Sequence, residues 1–277
     1  MTPSRLLTHG TLLVGVLLFF LPVWLVFAAS TQDASALSRG EISILPRLEG
    51  FGIYWQVLTG TGAGTQQGAV WRMLGVSFAM ALAIAGGKLV VSVLAAYAVA
   101  FFRFPLRLVC FWVIFLTLML PVEVRIMPTF ELVADFGLID SFGGLVLPLV
   151  ASATATLLYR QTFLLLPDEL VEAARMDGAG PLRFLRDMAL PLSATNTAAL
   201  FVILFVYGWN QYLWPLIAVT DTNLQTIMVG IVRMIGTEGQ TYWNRVMATA
   251  MLALVPPVLV VLVMQRWFVK GLAEGST

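Results

Sequence analysis

Six apolar runs leave this chain little choice of solvent: residues 11–29, 73–102, 108–127, 141–166, 195–220 and 246–268. About 20 apolar residues cross the hydrocarbon of a bilayer as a helix, and a helix satisfies every backbone polar group within its own segment. Charged residues make up only 11% of the chain and hydrophobic ones 59%, whereas soluble domains carry roughly a quarter charged residues. The mean hydropathy is +0.90. The fold class expected is therefore an all-α membrane protein with six transmembrane helices. The first run is longer than the apolar core of a secretory signal and lacks a convincing cleavage site, so it reads as a retained anchor.

An even number of spans places both termini on one side. That side would carry Arg5, Arg103, Arg107, Arg175, Arg183, Arg186, Arg266 and Lys270. The other would carry Arg39, Arg47, Arg72, Arg233 and Arg245, with Arg125 at its edge. Cationic residues are retained in the cytoplasm, so both termini are expected there. Arg103-Phe104-Pro105-Leu106-Arg107 becomes a tight inner turn, because Pro105 blocks a continuous helix. Residues 31–70, 128–140 and 221–245 become outer loops. Gly60-Thr61-Gly62-Ala63-Gly64 in the first of these lacks the Lys and Ser/Thr of a phosphate loop and reads as a connector. Gly86-Gly87-Lys88 lies inside a span without the upstream glycine and is likewise no nucleotide loop.

The inner segment 167–192 is polar without being featureless. Leu170, Val171, Ala174, Leu182, Phe184 and Leu185 supply short apolar faces beside Glu169, Glu172, Arg175, Asp177, Arg183, Arg186 and Asp187. Two short helices are expected: Asp168 capping the first after Pro167, Gly178 or Gly180 ending it, and Pro181 in the first turn of the second. Such a helix-turn-helix is either a docking knob for a partner or an amphipathic surface loop with none.

Glu172-Ala173-Ala174, then Asp177-Gly178, then Leu190-Pro191 resemble the loop that defines permease subunits of ABC importers. Further stretches are similar to the MalG-like carbohydrate branch of that family: Arg103 through Arg107, Leu118-Met119-Leu120-Pro121-Val122-Glu123-Val124-Arg125, Ala151-Ser152-Ala153-Thr154-Ala155-Thr156, and Tyr207-Gly208-Trp209-Asn210-Gln211-Tyr212-Leu213-Trp214-Pro215-Leu216. The likeness runs from about residue 71 to 269. It implies a type I (MetI-like) transmembrane domain over residues 71–277, preceded by a helix and outer loop over 1–70. It implies coupling helices within 167–192, with Glu172, Ala173, Ala174, Asp177, Gly178, Leu190 and Pro191 meeting a cytoplasmic ATPase subunit. The implied partners are a second homologous permease subunit, two copies of the ATPase and an extracytoplasmic solute-binding protein, toward which residues 223–239 would reach. ATP and Mg²⁺ would sit in the ATPase, with no cofactor on this chain. Among substrates the likeness favours sn-glycerol 3-phosphate or a glycerophosphodiester, with an uncharged sugar or oligosaccharide as the alternative, and it places the chain in the bacterial inner membrane.

Ionisable groups inside spans are costly and usually face a cavity or a partner. Lys88 either lines a path for an anion, pairs with a neighbouring subunit, or snorkels. Glu123 and Arg125 follow Pro121, whose break would let both turn inward; a structural ion pair is the alternative. Arg125 has the planar fork that suits a phosphate. In the fifth span Trp209, Asn210 and Gln211 crowd polar and aromatic groups before Pro215, where a kink would free carbonyls for a ligand; Asn210 and Gln211 are path-lining or interhelical, while Tyr212 and Trp214 read as interface anchors. Pro256-Pro257 suggests a bend in the last span.

A net charge of +1 without a basic cluster argues against nucleic acid. Cys110 stands alone as a small hydrophobe, His9 is the single histidine, and no metal-ligand spacing or nucleophile with an adjacent base occurs. The chain is expected to catalyse nothing itself. Two other classes remain: a proton-coupled carrier built on Lys88, Glu123 and Arg125, and a membrane scaffold for which the knob is an adaptor.

Overall fold

The computed structural model describes residues 3–61, 68–117, 122–235 and 241–274, with the side chains of 3–6, 122–123 and 266–274 left aside. All regular elements among them are helical. Three helices are long and apolar enough to cross a membrane unbroken: Leu7–Ser30, Val70–Phe101 and Trp243–Gln265. Two bent helix pairs reach the same length and apolarity only when each pair is taken together: Phe142–Leu149 with Ala153–Leu164 at 48°, and Pro181–Leu192 with Ala194–Trp209 at 79°. The run 108–127 corresponds to the ten-residue helix Arg107–Leu116 and, beyond 118–121, the helix Val122–Asp135. Pro121 therefore lies outside the described residues, and Pro128 sits within a helix instead of opening an outer loop.

The bends have local causes. Ser152 is extended (φ −148°, ψ 107°) and its Oγ accepts from the Ala155 N–H, so a fresh helix N-terminus forms in mid-span, where hydropathy alone suggests one helix over 141–166. The fifth span breaks at Asn210–Tyr212 and restarts as Leu213–Ala218. The kink expected at Pro215 thus falls earlier. A proline ring clashes with the carbonyl four residues back, here that of Gln211, and restarting at Leu213 puts Pro215 in a first turn where no N–H is required. The last helix, by contrast, continues through Pro256 and Pro257.

The chain divides into two compact units, residues 1–75 with 225–255 and residues 76–224 with 256–277. In the first, the segment after the N-terminal helix is tied down by hydrogen bonds. Gln32 exchanges two hydrogen bonds with the Ser43 backbone, donating from Nε2 at 2.6 Å and accepting at Oε1 at 2.9 Å, and Ser30 and Tyr54 hydroxyls meet at 2.6 Å. Gly50 lies so close to the Thr31 carbonyl that a Cβ would stand 1.8 Å from its oxygen. Most of the glycine-rich piece at 60–64 is outside the described residues. Residues 227–235, expected in a loop, form the amphipathic helix Ile227–Ile235 with Ile227, Val229 and Gly230 buried.

The second unit holds two apolar cores. One gathers Met80, Ile84, Val133, Leu145, Trp214 and Val219. Trp214 is buried there and donates its indole N–H to the Gly144 carbonyl at 3.1 Å, so it is an interior anchor and not an interface belt residue. Asp140, in a left-handed conformation (φ 55°), accepts from Thr220 Oγ1 at 2.6 Å and from the N–H groups of Thr220 and Asp221 at 2.5 and 2.9 Å. The Thr220 hydroxyl first, then those two N–H groups, hold its carboxyl below the ordinary carboxylate range. The second core supports the polar inner segment.

Candidate coupling and translocation sites

The inner segment is two helices folded on the spans. Asp168–Met176 begins after Pro167, which occupies the capping position, so Asp168 is the first helical residue and not the cap. With Glu169 it still supplies negative charge to the positive end of the helix. The helix stops at Gly178, whose φ of +71° is left-handed. The Ala179 N–H then reaches back to the Ala174 carbonyl at 2.9 Å and the Gly178 N–H to that of Arg175 at 3.1 Å, the paired closure that a glycine there permits. Gly180 instead precedes the second helix, whose first turn opens on Pro181.

That second helix runs from Pro181 to Leu192 through a π-helical stretch at Leu185–Ala189. Pro191 cannot donate to the carbonyl of Asp187 and its ring crowds it, so the wider turn just before the Leu190-Pro191 pair has a covalent cause. Ser193 makes the corner: its Oγ donates to the Ala189 carbonyl at 2.7 Å, and its own carbonyl receives the Thr197 N–H at 2.8 Å and hydroxyl at 2.9 Å.

Both helices turn their apolar faces inward. Ala174, Phe184, Leu185 and Ala189 pack with Val93, Ala96, Tyr97, Tyr159, Phe163 and Leu200. Tyr97 Oη donates to the Pro181 carbonyl at 2.8 Å. The knob is therefore bonded to the C-terminal end of the Val70–Phe101 helix and buried against Ala153–Leu164 and Ala194–Trp209. Among the residues expected to dock, Glu172, Ala173, Asp177, Gly178 and Pro191 are exposed. Ala174 is 1% exposed and Leu190 half-buried against the core. Those two fix the knob from within: Ala174 lies one turn from the half-buried Val171 on the packed side of the helix, whereas Ala173 and Arg175 on either side of it are exposed, and alanine is equally at home on both faces.

Within the spans, Lys88 is 5% exposed, and its Nζ lies 3.7 Å from the centre of the Tyr207 ring. The partner is an aromatic face, a contact worth about 2 kcal/mol when desolvated; no carboxylate pairs with it among the described residues. Gly208, the next residue, brings the fifth span so near the second that a Cβ would stand 3.0 Å from the Ala81 Cα. Arg125 is exposed on the Val122–Asp135 helix, where the Thr129 hydroxyl donates to its carbonyl at 2.7 Å. The Glu123 side chain lies outside the described residues. Asn210 is exposed at the end of its helix, and Gln211 is half-buried, donating to the Tyr207 carbonyl at 3.2 Å.

Trp209 is 1% exposed and stacks on Phe205 with centroids 6.1 Å apart, so its ring lies in the interior of this chain. Two residues escape the sequence reading in these roles. Tyr207 appears only as part of an aromatic cluster, and its pairing with Lys88 needs the helices assembled. Arg160 lies inside the fourth span with its guanidinium 4.4 Å from the Phe111 ring centre and its Nε buried without a partner among the described residues. An arginine in an apolar run is itself the signal for it.

Residues 88–274 match the model of the family described as binding-protein-dependent transport system inner membrane component. The chain is 53% identical over 272 residues to the sn-glycerol-3-phosphate transport system permease protein UgpE of Agrobacterium fabrum, covering 98% of this chain and 96% of that one. It is 53% identical over 273 residues to the protein of the same name in Shigella dysenteriae, covering 97% and 96%, and 52% identical over 272 residues to that of Brucella melitensis, covering 98% and 96%. Among solved structures, a chain of a bacterial ABC transporter involved in the import of the acidic polysaccharide alginate superposes with a TM-score of 0.81 at 22% identity, over 97% of this chain and 99% of that chain. The fold is thus that of an ABC transporter's membrane subunit. The chain belongs to the binding-protein-dependent transport system inner membrane component family.

Proposed function

We propose that this chain is a permease subunit of an ATP-driven importer that carries sn-glycerol 3-phosphate across the bacterial inner membrane, with both termini in the cytoplasm. The observation that carries the reading is identity of 52–53% over nearly the full length to permease proteins named for that transport system. The buried Lys88 ammonium, facing an aromatic ring and no carboxylate among the described residues, suits an anionic substrate, because a phosphate group would relieve the cost of a desolvated cation.

A second homologous permease subunit completes the pore, and a solute-binding protein outside delivers the substrate. Two copies of an ATPase subunit bind ATP and Mg²⁺ and hydrolyse the nucleotide, while this chain holds no cofactor and forms no covalent intermediate. Closure of the ATPase dimer presses on the exposed surface from Glu172 to Gly178. The knob's apolar face and the Tyr97–Pro181 bond pass that displacement to the inner ends of three spans as one packed body. Substrate moves because the outward- and inward-open states hold it with different affinity; equal affinity would shift nothing.

The test is uptake of radiolabelled sn-glycerol 3-phosphate in cells lacking this chain and complemented with it. Complementation is expected to restore uptake, and Arg125→Ala to lower it roughly ten- to a hundredfold while the binding protein captures substrate as before, since a lost charge-assisted contact is worth about 1.5–3 kcal/mol. Import of an uncharged oligosaccharide in place of the phosphate ester would overturn the substrate, and undiminished uptake by Arg125→Ala would remove that residue from the path.

A further inference from the structure

The turn Arg103-Phe104-Pro105-Leu106-Arg107 takes no part in coupling or in the path, yet it is built in an unusual way. Leu106 has φ 63° and ψ 14°, a left-handed conformation that non-glycine residues seldom adopt, and it is held 70% exposed. Strained backbone with an exposed apolar side chain at its apex invites a functional explanation.

The conformation places Arg103 and Arg107 along one open groove of about 550 Å³, with Phe104, Leu106, Leu108 and Val109 as the rest of its lining. Arg103 is exposed and Arg107 half-buried. The Arg107 guanidinium makes one long hydrogen bond, 3.4 Å to the Phe102 carbonyl, which leaves most of its donors open. Neither arginine faces a carboxylate among the described residues, where the ion pairs are Arg39 with Glu41 and Arg183 with Asp187. The apolar lining continues into the exposed side of the Arg107–Leu116 helix, at Trp112 and Val113.

We propose that this groove binds the phosphate of an anionic phospholipid, with the two guanidinium groups on the headgroup and Leu106, Leu108 and Val109 against its acyl chains. Two planar forks lining one groove suit a phosphodiester. An apolar strip running from them onto a span surface suits a lipid better than a free anion, which has nothing to place there, and better than an acidic protein surface, which would leave the strip in water. The occupant would tie the inner end of the second span to the bilayer one turn of chain away from Tyr97 and the knob. The inference does not depend on which substrate is carried.

The test uses the purified transporter in detergent, containing the full chain with its partner subunits, titrated with phosphatidylglycerol or phosphatidylcholine and read by native mass spectrometry. Arg103→Gln/Arg107→Gln is expected to lose a phosphatidylglycerol adduct that the wild type retains, with apparent affinity lower by about tenfold or more and phosphatidylcholine binding unchanged. Arg103→Lys/Arg107→Lys should recover part of the affinity through charge. If the double glutamine variant fails to assemble, the exposed-site variant Arg103→Gln is expected to show a smaller loss of the same adduct. Equal phosphatidylglycerol occupancy in wild type and variants would overturn the proposal. So would displacement of the lipid by inorganic phosphate at comparable concentration, which would mark a free-anion site, or loss of the ATPase subunit with lipid binding intact, which would mark a protein-docking surface.

Discussion

Gly178→Asp is expected to leave the chain inserted and folded while cutting ATP-driven uptake by about tenfold or more, equivalent to at least about 1.4 kcal/mol lost from the driven step. Gly178 ends the first knob helix with φ +71°. No atom of this chain lies within 4 Å of a Cβ placed there, so the substitution displaces nothing internally. The backbone penalty is about 1 kcal/mol, and aspartate tolerates the left-handed region better than most residues. What changes is the outer surface: a carboxylate is added to the exposed face that holds Asp177 and Glu172, the face proposed to receive the ATPase. Gly178→Ala separates the two effects, since it carries the backbone strain without the charge and should retain more uptake. Normal uptake together with normal co-purification of the ATPase in Gly178→Asp would count against a coupling role for this surface.

Lys88→Met should produce a loss of similar size by a different route. The side chain is buried, and its ammonium rests on the Tyr207 ring. Methionine keeps most of the unbranched stem and removes a desolvated charge, a change that leaves cores neutral or more stable when the charge has no acidic partner. Folding is therefore expected to persist. Uptake of an anionic substrate should fall roughly ten- to a hundredfold, as expected from losing a charged hydrogen bond of about 1.5–3 kcal/mol to phosphate. Basal ATP hydrolysis by the assembled transporter should be kept. Lys88→Arg retains the charge and is expected to lose less. Unchanged uptake by Lys88→Met would assign the lysine to packing against Tyr207 alone.

Features written into a few neighbouring residues were legible from the sequence, and features decided by distant partners were not. Gly178 and Pro181 punctuate the knob because left-handed backbone and a missing N–H are properties of single residues, and the structure uses both where expected. Asp168 shows the margin of such signals: with Pro167 at the capping position, its charge serves the first turn without capping it. The break at Asn210–Tyr212 was displaced from Pro215 because a proline dictates where a helix cannot continue but leaves the restart to local packing, here the burial of Trp214 against Gly144. Ser152 illustrates another ambiguity. A serine in an apolar run satisfies a helix interior or caps a new one, and the choice rests on contacts sixty residues away, such as the Ser92 hydroxyl on the Ser152 carbonyl at 3.1 Å.

The same distinction runs through the site. Exposed Glu172 and Asp177 follow from charge, whereas nothing in the sequence tells Ala174 from Ala173; Tyr97, Phe163 and Phe184 settle that Ala174 is the inner one. Trp209 stands in the sequence among the polar and aromatic groups crowded before Pro215, and indoles usually keep their N–H partnered. In the structure that N–H is buried without a partner among the described residues, and the ring serves the stack with Phe205. The helix Ile227–Ile235 hid between polar flanks that read as a loop.

In the proposed function the knob faces the cytoplasm and receives the ATPase. Ala173, small and exposed beside Glu172, reports on it most directly. With Cys110, itself exposed, replaced by serine and Ala173→Cys introduced, a membrane-impermeant maleimide should label the new thiol in inside-out vesicles and not in intact spheroplasts, and the assembled ATPase should protect it. Labelling from outside in intact spheroplasts would put the knob on the opposite face of the membrane, out of reach of a cytoplasmic ATPase.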